Sequence, residues 1–300
     1  MQSVGVGYHS LNGRYLYIHT HVQSRSYVEP VVRKFGRAEF AAVLLARCGR
    51  WLHRRDRSSD QAVLSCVPVQ GGVRQAGERG KQRAYNTGVE HCESELFFCV
   101  DSDDVLVPSA VETILNAWEA YRADASVAGL VGLCGRDENT PLGTGMPQSS
   151  GTITFWDLYY KKGHKGDSAV VHRTDVLRRY PFFVAEGEKF MAEPYVYHQI
   201  DQEYVLGIVD AVLIVREYLK DGYTYNIRRI TKQNPVGYRI LKRMYIEYSD
   251  TLYLKFYNSI LYLVGCRLSG MKGGVKSAPY PLIAALAYLP AFFLCKTVYR

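Results

Sequence analysis

Phe97-Phe98-Cys99-Val100-Asp101-Ser102-Asp103-Asp104-Val105-Leu106-Val107-Pro108 is the stretch whose reading decides the fold. A short apolar run ends abruptly in an acidic turn. Aliphatic and aromatic residues bounded in this way predict a buried strand that stops at its C-terminal edge. In open α/β sheets the ligand crevice lies at that edge. Carboxylates packed so closely repel one another unless a cation sits among them. Asp101 and Asp103 are therefore placed to hold a hard divalent metal and, through it, a diphosphate. A plainer account of the same residues is an acidic turn with Asp104 as N-cap of a helix starting near Pro108.

Outward from this turn the chain alternates between elements. Val111, Ile114, Leu115, Trp118 and Tyr121 recur at helical spacing and predict an amphipathic helix over 111–123. Residues 127–133 predict a small buried strand, and 137–150, rich in Gly, Pro and Thr, a loop that covers the crevice. Gly166 to Arg173 reads as a turn entering a strand, and His172 within it as a structural histidine. His164 is a weaker candidate for contacting phosphate. Residues 205–218 predict a further apolar strand, and Asp221-Gly222 a hairpin-like turn. The elements together predict an α/β fold with a mostly parallel central sheet flanked by helices.

The net charge of +8 predicts an acidic partner: nucleic acid, an anionic membrane surface or a phosphorylated substrate. Seven cysteines without a C-x-x-C pair fit a reduced, cytoplasmic setting. No apolar h-region opens the chain and no run is long enough to span a bilayer.

The first 80 residues behave differently. Arg33, Arg37, Arg47, Arg50, Arg54, Arg55 and Arg57 interrupt every apolar run, and no strand or helical period is sustained. One reading is a basic, disordered or nucleic-acid-binding arm. The genetic code supplies another. With codons TGT GGA CGA TGG CTC CAC CGA CGG GAC AGA, the segment 48–57 reads VDDGSTDGT once its first base is dropped. The same slip turns 19–29 into TPTYNRAHTL and 73–79 into YVRQENG, which runs into Gly80-Lys81. Residues 1–80 are then an out-of-frame segment in place of the first strands, which are missing or disordered.

The stretch Gly80-Lys81-Gln82-Arg83-Ala84-Tyr85-Asn86-Thr87-Gly88, followed by Leu96 to Pro108, resembles the family-2 glycosyltransferases, and the hidden strings are similar to that family's first strand ends. The resemblance covers about Gly80 to Gly222. It implies a GT-A, Rossmann-like fold, a nucleotide-diphosphate-sugar donor, a divalent metal (Mg or Mn), and hexosyl transfer with inversion. By the same resemblance Asp101 faces the sugar and ribose, Asp103 the metal, and Lys81 and Asn86 the nucleotide; a plain turn over 86–88 is the alternative for Asn86. Asp167 lies on the acceptor side or simply closes its turn.

An inverting transfer needs a carboxylate to accept the proton of the attacking hydroxyl. Glu193, four residues before Tyr197, matches the family's position for this base, with Glu188, on the acceptor side, as the other candidate; an acid at a helix N-terminus is the structural alternative.

Beyond Asn234-Pro235 the composition changes. The organisation expected is an out-of-frame 1–80, the remainder of the GT-A domain over 81–230, and a helical tail over 231–300. In that tail Pro281 to Cys295 is apolar, interrupted by Pro290, and flanked by Lys272, Lys276, Lys296 and Arg300. It predicts an interfacial anchor on the inner leaflet of the cytoplasmic membrane. The function expected is sugar transfer to a saccharide or lipid-linked acceptor in bacterial surface-polysaccharide biosynthesis, without a nucleic-acid partner and with the printed chain itself impaired. The rival class is a non-enzymatic, membrane-peripheral binding protein with a basic N-terminal arm.

Overall fold

The computed structural model describes residues 80–92, 94–101, 104–216 and 226–299 with side chains, and as backbone alone the strands within 5–74 and the helix start 223–225. The chain forms two compact units: Met1–Pro181 with Val196–Glu217, and Phe182–Tyr195 with Tyr218–Arg300.

In the first unit the backbone forms β1 (Gly5–His9), β2 (Tyr15–His19), β3 (Ala41–Val43), β4 (Ser65–Val69) and β5 (Gly72–Arg74) before helix α1 (Lys81–His91). There follow β6 (Leu96–Cys99), β7 (Val105–Leu106), α2 (Ala110–Trp118), β8 (Val127–Gly135), β9 (Thr152–Ile153), β10 (Ser168–Arg173), the short α3 (Thr174–Leu177), α4 (Pro194–Ile200), whose first residues belong to the other unit, and β11 (Val205–Val215). The main sheet runs β3-β1-β2-β6-β10-β8-β11-β7, with β9 beside β11.

Two expectations change here. The sheet is mixed: β10 is antiparallel to both β6 and β8, whereas β8 and β11 are parallel, as are β2 and β6. The chain leaves β8 and re-enters β10 at the same sheet edge, so no crossover helix is needed to reverse it. The N-terminal strands are also present as backbone. Ladder bonds use only main-chain groups, so a segment without side-chain alternation can still extend an open edge.

Alternation divides the sheet faces. Phe98 and Val171 are register partners and join Leu130, Leu213, Ile114 and Trp118 in a core under α2. Trp118 is anchored through its indole N–H, which donates to Glu95 Oε1 at 2.9 Å. Phe97 and His172 pair on the opposite face. There Tyr85 of α1 meets Phe97 edge-on at 5.0 Å, and Tyr197 lies 5.2 Å from the His172 ring. β8 is buried at every position, as a strand covered on both faces must be.

The loop over 137–150 is pinned in its middle. Leu142 N–H donates to the Cys134 carbonyl, and Thr144 N–H to that of Lys165, both at 2.8 Å. His164 is part of this fastening and not a phosphate ligand: it is buried, with Nδ1 3.0 Å from Thr144 Oγ1, and burial lowers its pKa. Gly166, at φ +107°, crosses beneath; a Cβ there would land on the Leu142 carbonyl.

The second unit contains α5 (Tyr223–Gln233), α6 (Pro235–Tyr248), α7 (Leu252–Leu268) and α8 (Pro281–Thr297). The Asp221-Gly222 turn lies outside the described residues. Ile246, Tyr262, Val264, Ala284 and Ala287 form its core. Pro290 does not interrupt α8. It stands on the exposed side, where water can satisfy the carbonyl that loses its partner. No described helix is long and apolar enough to cross a membrane.

Candidate active site

The ends of β6, β8 and β11 and the start of β10 share one edge, because β10 runs against the strands beside it. On that edge β7 pairs with β11 so that Val105 faces Val215. The next residues outward are Asp104 and Arg216. Their side chains meet as a two-pronged ion pair: Arg216 Nε donates to Oδ1 at 3.0 Å and Oδ2 at 2.9 Å of Asp104, and Nη2 reaches Oδ2 as well. Asp104 therefore holds Arg216 and is not a helix cap; the N-cap of α2 is Ser109.

Arg216 also gathers the other acids. Its Nη1 donates to Asp167 Oδ2 at 3.0 Å, and Nη2 lies 3.7 Å from Asp101 Oδ2. The start of β10 is fixed in the same place, since Cys134 N–H donates to the Asp167 carbonyl at 3.2 Å. On the far side of Asp101, Lys81 Nζ from the first turn of α1 approaches Oδ1 at 2.5 Å. Burial opposes the charge on Arg216, but the hydrogen bonds and negative charge of Asp104 hold its pKa above the usual value. Three aspartates and two cations are thus joined in one chain of contacts, with Asp104 almost fully buried and the Asp101 side chain 33% exposed.

Of the residues predicted from sequence, Lys81, Asp101 and Asp167 come together here. Asn86 lies in the interior of α1, since the helix continues through 86–88 where a turn was the alternative. It is about 7.5 Å further along the axis than Lys81 and about 140° round it, on a different face. Asp103 lies outside the described residues. Arg216 is the residue that sequence reasoning missed. It directly follows an apolar strand that ends on the same edge as the acidic turn, but it was absorbed into the strand read over 205–218.

Glu188 and Glu193 belong to the second unit. Glu188 is buried, with one oxygen accepting from Val236 N–H at 2.6 Å and the other from Gly237 N–H at 2.8 Å, so it closes the N-terminus of α6. Glu193 is half-buried and immediately precedes α4.

The edge offers only oxygen donors, which suits a hard divalent cation. Among the described residues no group of three His, Cys, Asp or Glu is arranged to hold a metal ion, and Asp104 and Asp167 direct oxygens to Arg216. A Mg²⁺ ion bound mainly through substrate phosphates needs only one or two carboxylates. Asp101 is part-exposed, with Oδ1 on Lys81 and Oδ2 3.7 Å from Arg216, and Asp103, next but one in sequence, lies outside the described residues.

Residues 72–182 match the family model described as Glycosyl transferase family 2. This segment contains Lys81, Asp101, Asp104 and Asp167 and is similar to that family. No curated protein matches the chain. Similar solved structures include S. aureus TarS 1-349 (13% identity, TM-score 0.38, covering 74% of this chain and 71% of that one). Its complex with UDP-GlcNAc gives 13% identity and a TM-score of 0.39 over 74% and 72% of the two chains. A longer S. aureus TarS structure gives 14% and 0.38, with 43% of that chain covered.

Proposed function

We propose that the family-2 region, with its first strands in the correct frame, transfers a hexose from a nucleotide-diphosphate donor to a saccharide or lipid-linked acceptor with inversion, in bacterial surface-polysaccharide assembly at the inner face of the cytoplasmic membrane. The observation that carries this reading is the charge cluster at the strand edge, whose Lys81, Asp101, Asp104 and Asp167 fall inside the segment that matches the family model and are joined there by Arg216 from beyond it. Lys81 and Asp101 flank the nucleotide and its sugar, and Asn86 supports the nucleotide side from α1. Asp103, with Asp101, would hold a divalent metal, Mg or Mn, which when bound offsets the negative charge of the departing nucleoside diphosphate.

Glu193 serves as the base. The acceptor oxygen attacks the anomeric carbon as the bond from that carbon to the diphosphate oxygen breaks. The bonding electrons leave with the diphosphate, and the hydroxyl proton passes to the Glu193 carboxylate. Asp167, at the turn into β10, orients the acceptor. Arg216 holds Asp101, Asp104 and Asp167 in one arrangement before substrate arrives. Pre-ordered charge at the reacting centre is what lowers the barrier in such sites. Glu188 stays with α6 and takes no part in the chemistry.

Isothermal titration of the frame-restored chain with UDP-sugars and Mn²⁺, followed by assay for free nucleoside diphosphate, tests the reading. Saturable, metal-dependent binding supports it; the absence of binding for every donor overturns it.

A further inference from the structure

The C-terminal unit contains a feature that sugar transfer does not use. Between the end of α7, the turns over 269–280 and α8 lies an open cavity of about 480 Å³. Its walls include Leu263, Cys266, Met271 and Phe292, and two cations, Arg267 and Lys276, line it as well. The Arg267 guanidinium lies 5.1 Å over the Phe292 ring, so a charged group is set directly against an apolar wall. The volume is within the range of small-molecule sites, and apolar walls with a few convergent charges are their usual chemistry.

Beside the cavity, α8 has two unlike faces. Ala284, Ala287, Ala291 and Cys295 are buried in the unit's own core. Leu282, Leu286, Leu289 and Phe293, at spacings of four, three and four, are 62% to 84% exposed. Tyr288, 52% exposed, also lines the cavity, about 130° round the helix from the centre of that stripe. Residues 251–300 carry Lys255, Arg267, Lys272, Lys276, Lys296 and Arg300 and no Asp or Glu.

We propose that this cavity binds one anionic glycerophospholipid, with an acyl chain against Leu263, Met271 and Phe292 and the phosphate met by Arg267 and Lys276, while the Leu282–Phe293 stripe lies in the interfacial layer of the bilayer. The inference rests on the membrane-surface reading given above and names the lipid and the surface. A second copy of the chain would also cover an apolar stripe, but it would bring two wholly basic segments together. An anionic bilayer complements both the charge and the apolar face. At 17 residues, α8 is about 25 Å long, so lying in the interface suits it better than crossing.

The test has two arms on the full chain. In the first, dihexanoyl phosphatidylglycerol, kept below its micelle concentration, is titrated into the protein, with dihexanoyl phosphatidylcholine and inorganic phosphate as controls. The expected result is saturable one-to-one binding of the phosphatidylglycerol alone. It should fall about thirtyfold in Arg267→Ala/Lys276→Ala, and less in Lys272→Ala/Lys296→Ala, whose cations lie outside the cavity. In the second arm, co-sedimentation with phosphatidylglycerol vesicles should be lost in Leu286→Glu/Phe293→Glu, whose soluble-lipid binding is retained. Vesicle binding without soluble-lipid binding overturns the lipid site and leaves the membrane reading standing. Failure of both arms overturns both. A concentration-dependent dimer that Leu286→Glu/Phe293→Glu converts to monomer, without vesicle binding in the parent, assigns the stripe to self-association and overturns the proposal. Circular dichroism of each variant confirms that the altered surface residues leave the helices intact.

Discussion

Arg216 and Asp104 are adjacent in space because the register of β7 on β11 makes them so, although 112 positions separate them in sequence. The pair stands at the sheet edge to which Lys81, Asp101 and Asp167 also come. Asp104 is almost completely buried, so removing Arg216 would leave a buried carboxylate without the cation that holds both its oxygens. Arg216→Met is therefore expected to cost about 3 kcal/mol of unfolding free energy. The double variant Arg216→Met/Asp104→Leu should recover most of that loss, because both charges are then removed. Urea unfolding of the two variants measures it; additive losses would contradict the pairing.

The two acids before α4 are expected to separate cleanly. Glu193→Gln should reduce sugar transfer by a factor of about 10² to 10⁴ and leave donor affinity unchanged, as removal of a general base does. Glu188→Gln removes an ionised acceptor from two backbone N–H groups at the start of α6. It should lower stability by about 1–2 kcal/mol while transfer at low temperature persists. Steady-state kinetics and thermal unfolding of both variants check the division.

His172 gives the folded state a defined response to acid. It is fully buried in β10, its Nε2 lacks a hydrogen-bond partner, and burial lowers its pKa from 6.5 to about 3. Between these values the unfolded chain binds a proton that the folded chain refuses. Stability contributed by neutral His172 is thus complete above about pH 6.5 and is lost as pH falls toward 3, with a slope of up to about 1.4 kcal/mol per pH unit. His172→Leu should flatten that part of the stability profile, as followed by denaturant midpoints at a series of pH values.

Much of the first unit was legible from the sequence. The strand ending at Asp101, a helix starting near 111, the buried strand from 127 and the turn into 168 all follow from local pattern, although the helix expected to run to 123 ends at Trp118. Arg216 was not legible, since pairing between β7 and β11 is a long-range relationship that no local period encodes. The role of Glu188 was hidden for the same reason: only the folded chain brings it to Val236 and Gly237. The exposed stripe of α8 was visible as an apolar run, but only packing shows that its alanines face inward and its leucines outward. Pro290 misled because a proline's cost depends on which side of the helix it occupies.

The gene start offers a separate prediction. The family match begins at Gly72, ahead of the frame boundary read at Gly80. Resequencing the DNA upstream of the Lys81 codon should yield codons that read VDDGSTDGT and TPTYNR after a one-base shift. Codons that cannot give those strings would end the out-of-frame reading.

The central claim is that the acids and cations at this strand edge bind a nucleotide-sugar through its diphosphate. Its most direct test is calorimetric titration of the frame-restored chain with nucleotide-diphosphate sugars and Mn²⁺, beside Lys81→Met and Asp103→Ala. Binding that is saturable in the parent, at least about tenfold weaker in Lys81→Met and no longer metal-dependent in Asp103→Ala is the result predicted. Donor binding of equal strength in all three proteins would contradict the account.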